Sequence, residues 1–189
     1  MEWIIPGTTL TARREDAAFI EEQFKAMFFA GGMVLSQVSN ITGLEPYTVQ
    51  NWVKRGFLTG PKQKRYTLNQ LCRILNINML KSTLPLEQIC GLLAYINGDL
   101  DDDSDDLVDD ARLYFFFVRL AARARYIGGT QSWDDALAEV AAEYHEPVPG
   151  AREKLVKVLR IMLTAWAASQ LRLSAENMVK ALNMEKQIQ

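Results

Sequence analysis

The chain has little of what catalytic and metal centres are built from: one histidine and two cysteines in 189 residues. His145 stands beside Pro147 in a segment that reads as a loop, with no nucleophile motif nearby, so it reads as a surface or packing residue. Cys72 and Cys90 fall on predicted helices without metal-ligand spacing. They read as buried thiols of a reducing cytosol, with a redox switch as the lesser alternative. No run of eighteen apolar residues occurs, which excludes an expected transmembrane helix, and the opening MEWIIPGTTLTARRED lacks the pattern of a signal peptide. A cytoplasmic location follows as an expectation. Phosphate loop, nucleophile elbow, metal-binding helix motif and dinucleotide fingerprint are all missing. The expectation is therefore a non-enzyme without cofactor or metal.

What is present is a charge asymmetry. The net charge is −2, yet between Met33 and Lys81 stand seven cations (Lys54, Arg55, Lys62, Lys64, Arg65, Arg73, Lys81) and one acid, Glu45. That island carries +6 and the remainder −8. Such a distribution is the electrostatic footprint of a polyanion site on an otherwise acidic protein. A 49% hydrophobic content is enough for real cores in one large or two small domains.

Inside the island, Leu35 to Tyr66 reads as a helix-turn-helix followed by a basic wing. Ser39 supplies a small side chain where a second helix approaches. Gly43 sits where the turn demands positive φ, and Pro46 suits the first turn of the second helix. Val49, Trp52 and Val53 share one face of that helix, while Tyr47, Gln50, Asn51 and Lys54 form the opposite stripe. Gln and Asn match the N6/N7 edge of adenine, and Lys matches guanine or phosphate. Gly56 stops the helix, Phe57-Leu58-Thr59 has β character, Gly60-Pro61 signals a turn, and Lys62 to Tyr66 reads as a cationic return strand. In this reading Thr48, Arg55, Lys62, Lys64, Arg65 and Tyr66 join the helix stripe as DNA-contacting residues, mostly on backbone phosphates.

Thr48 to Leu58 resembles the start of a MerR-type winged-helix domain, and Arg65-Tyr66 is similar to that family's wing. Leu68 to Leu80 and Pro85 to Ile96 resemble the two further helices of the MerR DNA-binding domain. The phrases NWVKRG, KRYTLNQLCRILNIN and LLAYING also resemble an uncharacterised bacterial family, a domain of unknown function described as MerR-like. The MerR resemblance spans Met33 to Gly98 and implies a dimeric transcription regulator, its recognition helix in the major groove and its wing on flanking backbone. Gln50 and Asn51 stand where that family commonly has Arg and Tyr, Gln63 replaces a typical tyrosine, and about thirty residues precede the motif.

The rest reads helical. Asp16 to Phe29 places Phe19, Ile20, Phe24, Met27 and Phe28 on one side. Leu107 to Tyr126 is apolar nearly all round, as a buried helix would be. Gly128-Gly129 breaks it, Ser132-Trp133-Asp134-Asp135 starts a helix to Tyr144, Ala151 to Leu171 forms another, and a last one begins near Ser174. Eight Asp fall between Asp99 and Asp110. Asp99, Asp101, Asp103, Asp105 and Asp110 match calcium-loop positions, but Ser104 replaces the turn Gly and Asp110 the bidentate Glu. The run reads instead as a solvated linker whose last acids cap the next helix. The expected fold is mainly α: an N-terminal helical extension (1–32), a MerR-like winged helix-turn-helix with a small β-hairpin wing (33–98), an acidic linker (99–106) and a C-terminal helical bundle (107–189). The expected partners are double-stranded DNA, a second copy of the chain and a possible small-molecule effector in the bundle, with the Tyr114 to Val118 aromatics as one candidate lining. The alternative is a protein-interaction module built on a degenerate winged helix.

Overall fold

Apolar spacing decides which faces fold inward here, and the interruptions of that spacing mark most element ends. The computed structural model describes residues 2–100, 102, 105–124 and 133–188, with side chains as far as residue 183. A two-stranded antiparallel hairpin comes first, β1 (Glu2–Ile4) against β2 (Thr11–Arg13), with Trp3 opposite Ala12. A 3-10 turn (Arg14–Phe19) leads into α1 (Ile20–Met27), α2 (Leu35–Thr42), α3 (Pro46–Lys54), α4 (Leu68–Leu80), α5 (Leu86–Asn97), α6 (Asp110–Arg123), α7 (Trp133–Ala142) and α8 (Ala151–Ile188). The protein is mainly helical, as expected. Among the described residues no helix is long and apolar enough to cross a membrane.

The expected helical extension before residue 33 is corrected at its start. Trp3 and Ile5 are buried in the period of a strand, and the Pro6-Gly7 turn between the strands is pinned from three sides. Asn78 Nδ2 donates to the Gly7 carbonyl at 2.8 Å and Tyr114 Oη to the Pro6 carbonyl at 2.9 Å. Gly7 has φ +76°, and a Cβ there would meet the Leu75 carbonyl oxygen at 2.6 Å, so only glycine fits. Along α1, Ile20 and Phe24 are buried, whereas Phe19 and Met27 are exposed. The 3-10 geometry ahead of α1 rotates Phe19 off the face that a continuous helix would have given it.

α6 is the centre of the core. Every residue from Leu113 to Val118 is buried, in agreement with the all-round apolar pattern. It packs on α4, the 3-10 turn, α7 and α8. Phe115 meets Phe24 edge-on with ring centroids 5.7 Å apart, and Phe117 meets Trp166 at 6.0 Å. At roughly 1.5–3 kcal/mol per buried large apolar side chain, this helix is the principal source of stability. The aromatic run is thus in ring-to-ring contact inside the core.

α6 begins three residues later than the pattern suggested, because Asp109 caps it by accepting from the Arg112 N–H at 2.8 Å. Asp110 then turns inward instead of outward. Its carboxylate pairs with Arg73 Nη1 at 3.1 Å, both side chains buried, and Asn69 Oδ1 accepts from the Ala111 N–H at 2.9 Å. The expected helix to Tyr144 ends at Ala142, and Tyr144 instead donates its hydroxyl to the Leu107 carbonyl. The two helices expected from Ala151 are one, α8, since Arg172-Leu173-Ser174-Ala175-Glu176 contains no Gly or Pro to break it. The described C-terminal bundle therefore has three helices, α6 to α8, instead of about four. Asp101, Asp103, Ser104, Tyr126, Gly128, Gly129 and Ser132 lie outside the described residues.

Candidate nucleic-acid interface

α2 and α3 are short and would not persist alone; what holds them is a shared apolar interior. Val38, Ile41 and Leu44 from the first side meet Val49 and Trp52 from the second, all buried. Gly43 takes φ +68° at the end of α2, and Pro46 occupies the first turn of α3. Ser39, the small residue at the approach of the two helices, has its Oγ buried without a hydrogen-bond partner. With one face of α3 turned to the core, the opposite ridge is left to solvent. Tyr47, Gln50, Asn51 and Lys54 are all exposed, and Thr48 is half-buried beside them.

The segment after α3 differs from the expected hairpin. Phe57 to Thr59 forms no strand, and Leu58 is buried. Pairing is limited to isolated bridges, Lys62 with Arg65 and Met33 with Tyr66. The turn sits at Gln63-Lys64 instead of Gly60-Pro61. Both residues have positive φ, 51° and 63°, and the Arg65 N–H donates to the Lys62 carbonyl at 2.9 Å. That is the pattern of a type I′ turn, whose twist suits two antiparallel arms. Two non-glycine residues in the left-handed region are held there by anchors at each base. On one side Met33 and Tyr66 exchange backbone hydrogen bonds at 2.9 and 2.7 Å, and Arg65 Nη1 donates to the Gly32 carbonyl at 2.7 Å. On the other, Gln70 Nε2 donates to the carbonyls of Thr59 and Gly60. Gln70 is itself fixed by a capping box with Thr67 at the start of α4.

This scaffold brings the α3 ridge and the cationic turn together. Gln50 and Lys54 of α3 and Lys64 of the turn line one groove of about 780 Å³, floored by Leu35, Val53 and Tyr66. Lys62 and Arg65 are exposed on the same turn. Two of the ten residues singled out by sequence are otherwise engaged. Tyr66 is 2% exposed, so its side chain is part of the core, and burial pushes its phenol upward. Arg55 lies over the Phe57 ring at 4.5 Å and pairs with Glu87 of α5 at 2.7 Å. That pair is open to solvent and of small energetic weight. Two neighbours were missed by sequence reasoning, Gln70 and Gly32, which hold the turn. The Thr67-Leu68-Asn69-Gln70 spacing is a legible capping box and could have revealed the first. A Cβ on Gly32 would collide with the Tyr66 carbonyl, a constraint with no local signature.

His145 is exposed, Cys72 is buried and Cys90 half-buried, and both thiols are free. Burial pushes both thiols up, Cys72 the more strongly. Among the described residues no three His, Cys, Asp or Glu are grouped to hold a metal ion. Residues 20–117, just over half of the chain, match the model of a family described as a domain of unknown function, DUF1836. The matched span runs from α1 into α6 and so includes the α2–α3 pair, the cationic turn and the Arg73–Asp110 pair. No curated protein and no solved structure matches the chain.

Proposed function

The chain belongs to the DUF1836 family, and from that premise we propose that it is a sequence-specific DNA-binding regulator of transcription. In this reading α2, α3 and the 57–66 segment act as a winged helix-turn-helix. α3 enters the major groove, with Tyr47, Gln50, Asn51 and Lys54 toward base edges. Thr48, Lys62, Lys64 and Arg65 hold the phosphate backbone on either side. Arg55 is set aside by its contact with Glu87, and Tyr66 by its burial. The observation that carries the reading is the convergence of Gln50, Lys54 and Lys64 on one groove, within a +6 segment of a −2 chain.

The same reading makes the protein a homodimer through its C-terminal bundle. Ile161, Thr164, Ala168, Leu171, Ala175, Met178 and Leu182 succeed one another along α8 at alternating spacings of three and four, and every one is exposed. A heptad row of this kind is what a second helix packs against. A two-fold dimer would read half-sites about one helical turn apart.

One specific observation favours the second reading, a protein-interaction module. The groove between α2, α3 and the turn has an apolar floor and is flanked by Lys54 and Lys64. An acidic amphipathic peptide would match it. A gel shift against random duplex DNA at about 50 and 200 mM salt separates the two. Neutralising four to six phosphates predicts roughly a 150- to 1,800-fold loss of affinity across that range. Absence of binding at the lower salt sinks the DNA reading.

A further inference from the structure

The chain reverses at Gln63-Lys64, and both residues hold positive φ, 51° and 63°. The left-handed region is costly for a residue that carries a Cβ. Turns of this type favour Asn-Gly, Asp-Gly or Gly-Gly, which tolerate it best. Here neither residue is one of those, and anchors at the base of the turn hold them in place. Strain kept at an exposed tip points to the side chains that the tip carries.

Both side chains are exposed, and neither makes a hydrogen bond or ion pair among the described residues. The two lysines of the turn border different spaces. Lys64 lines the groove that it shares with Gln50 and Lys54 of α3, whereas Lys62 lines a cavity of about 440 Å³ beside the start of α4. Gln63 lies between them in the chain and lines neither. It is also the one uncharged residue of Lys62-Gln63-Lys64-Arg65. Cations suit phosphates, and an amide at the apex of the turn suits base edges.

With α3 in the major groove and Lys64 on the intervening backbone, the base edges next to the tip are those of the minor groove. A·T pairs show only acceptors there, while G·C adds the guanine amino donor. An amide alone pairs with either face. The Lys64 ammonium beside it has only donors, which tips the pair toward the acceptor-only face. We propose that Gln63 is a specificity-determining residue that reads the minor groove flanking the α3 site and selects A·T pairs there. This rests on the DNA reading above, and gives part of the specificity to the turn instead of the helix.

Duplexes selected from a random library by the full native chain supply the probe, and should carry A·T pairs flanking the core site. Exchanging such a pair for G·C should weaken binding by at least about fivefold. Exchanging it for inosine·C, which lacks the guanine amino group but keeps the G·C major-groove edge, should leave binding within about twofold. Gln63→Gly relieves the strain and removes the amide, so the G·C penalty should vanish while the melting temperature does not fall. Gln63→Asn keeps an amide in a residue that tolerates the left-handed region, and should keep the penalty. Selected sites without flanking A·T pairs overturn the proposal alone, as does an inosine·C penalty equal to that of G·C. So does a G·C penalty that survives in Gln63→Gly, or one lost alike in both variants. No duplex bound at about 50 mM salt overturns the DNA reading and this proposal together.

Discussion

α3 and α8 both bury one face of an amphipathic helix, but their outer faces are opposite in character. α3 turns Val49 and Trp52 inward and shows solvent Tyr47, Gln50, Asn51 and Lys54 around its rim, with Pro46 exposed at its start. α8 buries Leu155, Val158, Leu159, Met162 and Leu163 along its first half and still presents Leu171, Met178 and Leu182 outward along its second. Single exposed leucines are ordinary. A row of apolar residues at heptad spacing along a helix whose described side chains beyond Leu171 touch no core is not. The outer face of α3 suits a hydrated polyanion, and that of α8 suits another apolar helix. On the proposed reading the two surfaces would take different partners, as the parts of a DNA-binding dimer would.

The sharpest way to break this comparison is to separate the two regions. Arg73 on α4 and Asp110 on α6 join them through a pair in which both side chains are buried. Arg73→Met leaves the Asp110 carboxylate buried without its cation, and should lower unfolding stability by about 3–5 kcal/mol in urea melts. Burial already pushes the Asp110 acid up, against the pull of Arg73, and losing Arg73 would push it further. A carboxylate whose folded pKa is raised contributes stability below its unfolded pKa and loses it as pH rises through the folded one. The deficit of the variant should therefore be small near pH 4 and full at neutral pH. A pH-independent deficit would remove Asp110 from the account, and two separate unfolding transitions would show that the regions melt independently.

Next in size is the outer face of α8. Leu171→Glu with Met178→Glu replaces two apolar contacts of roughly 1.5–3 kcal/mol each by like charges facing their symmetry mates. The dimer constant should weaken by at least about 100-fold in light scattering, with the circular dichroism spectrum unchanged. A native chain already monomeric at working concentration ends the dimer reading.

The turn is expected to respond more modestly. Lys64→Ala with Arg65→Ala removes two phosphate contacts, so the salt slope should fall by about 1.8 and low-salt affinity by about tenfold. Arg65 also anchors Gly32, so the single Lys64→Ala variant separates charge from turn geometry. Its slope should fall by about 0.9 with the fold intact. Binding indifferent to both variants would give the groove to a protein partner.

How much of this could be read from the residues follows from the range of the forces involved. Gly43, Pro46 and the Val49–Trp52 face are local patterns, and the structure places them as their spacing implied. The inward turn of Asp110 was not legible, because in sequence it is the last of eight acids and its partner lies 37 positions away. Tyr66 was misplaced for a related reason. Read beside Arg65 it looks like part of a cationic strand, while its burial depends on pairing with Met33. The continuity of α8 past Ser174 was available from helix propensity but was overruled by one capping-type residue. The turn moved from Gly60-Pro61 to Gln63-Lys64 because tertiary anchors, not intrinsic preference, hold two left-handed residues.

Gly43 gives the smallest effect and the cleanest separation of the two surfaces. It holds φ +68° between α2 and α3, and a Cβ there would meet Thr9 Cγ2 at 3.1 Å. Gly43→Ala puts a side chain into the left-handed region at about 1–2 kcal/mol. The threonine methyl can give by the few tenths of an ångström required, so the backbone strain dominates. The strain falls on the angle between α2 and α3, far along the chain from α8. Stability should drop by about 1 kcal/mol and DNA affinity by a few-fold, with the dimer constant unchanged. A dimer constant that moves with Gly43 would mean that the two surfaces are coupled through the core, and that the division of labour between α3 and α8 is not a clean one.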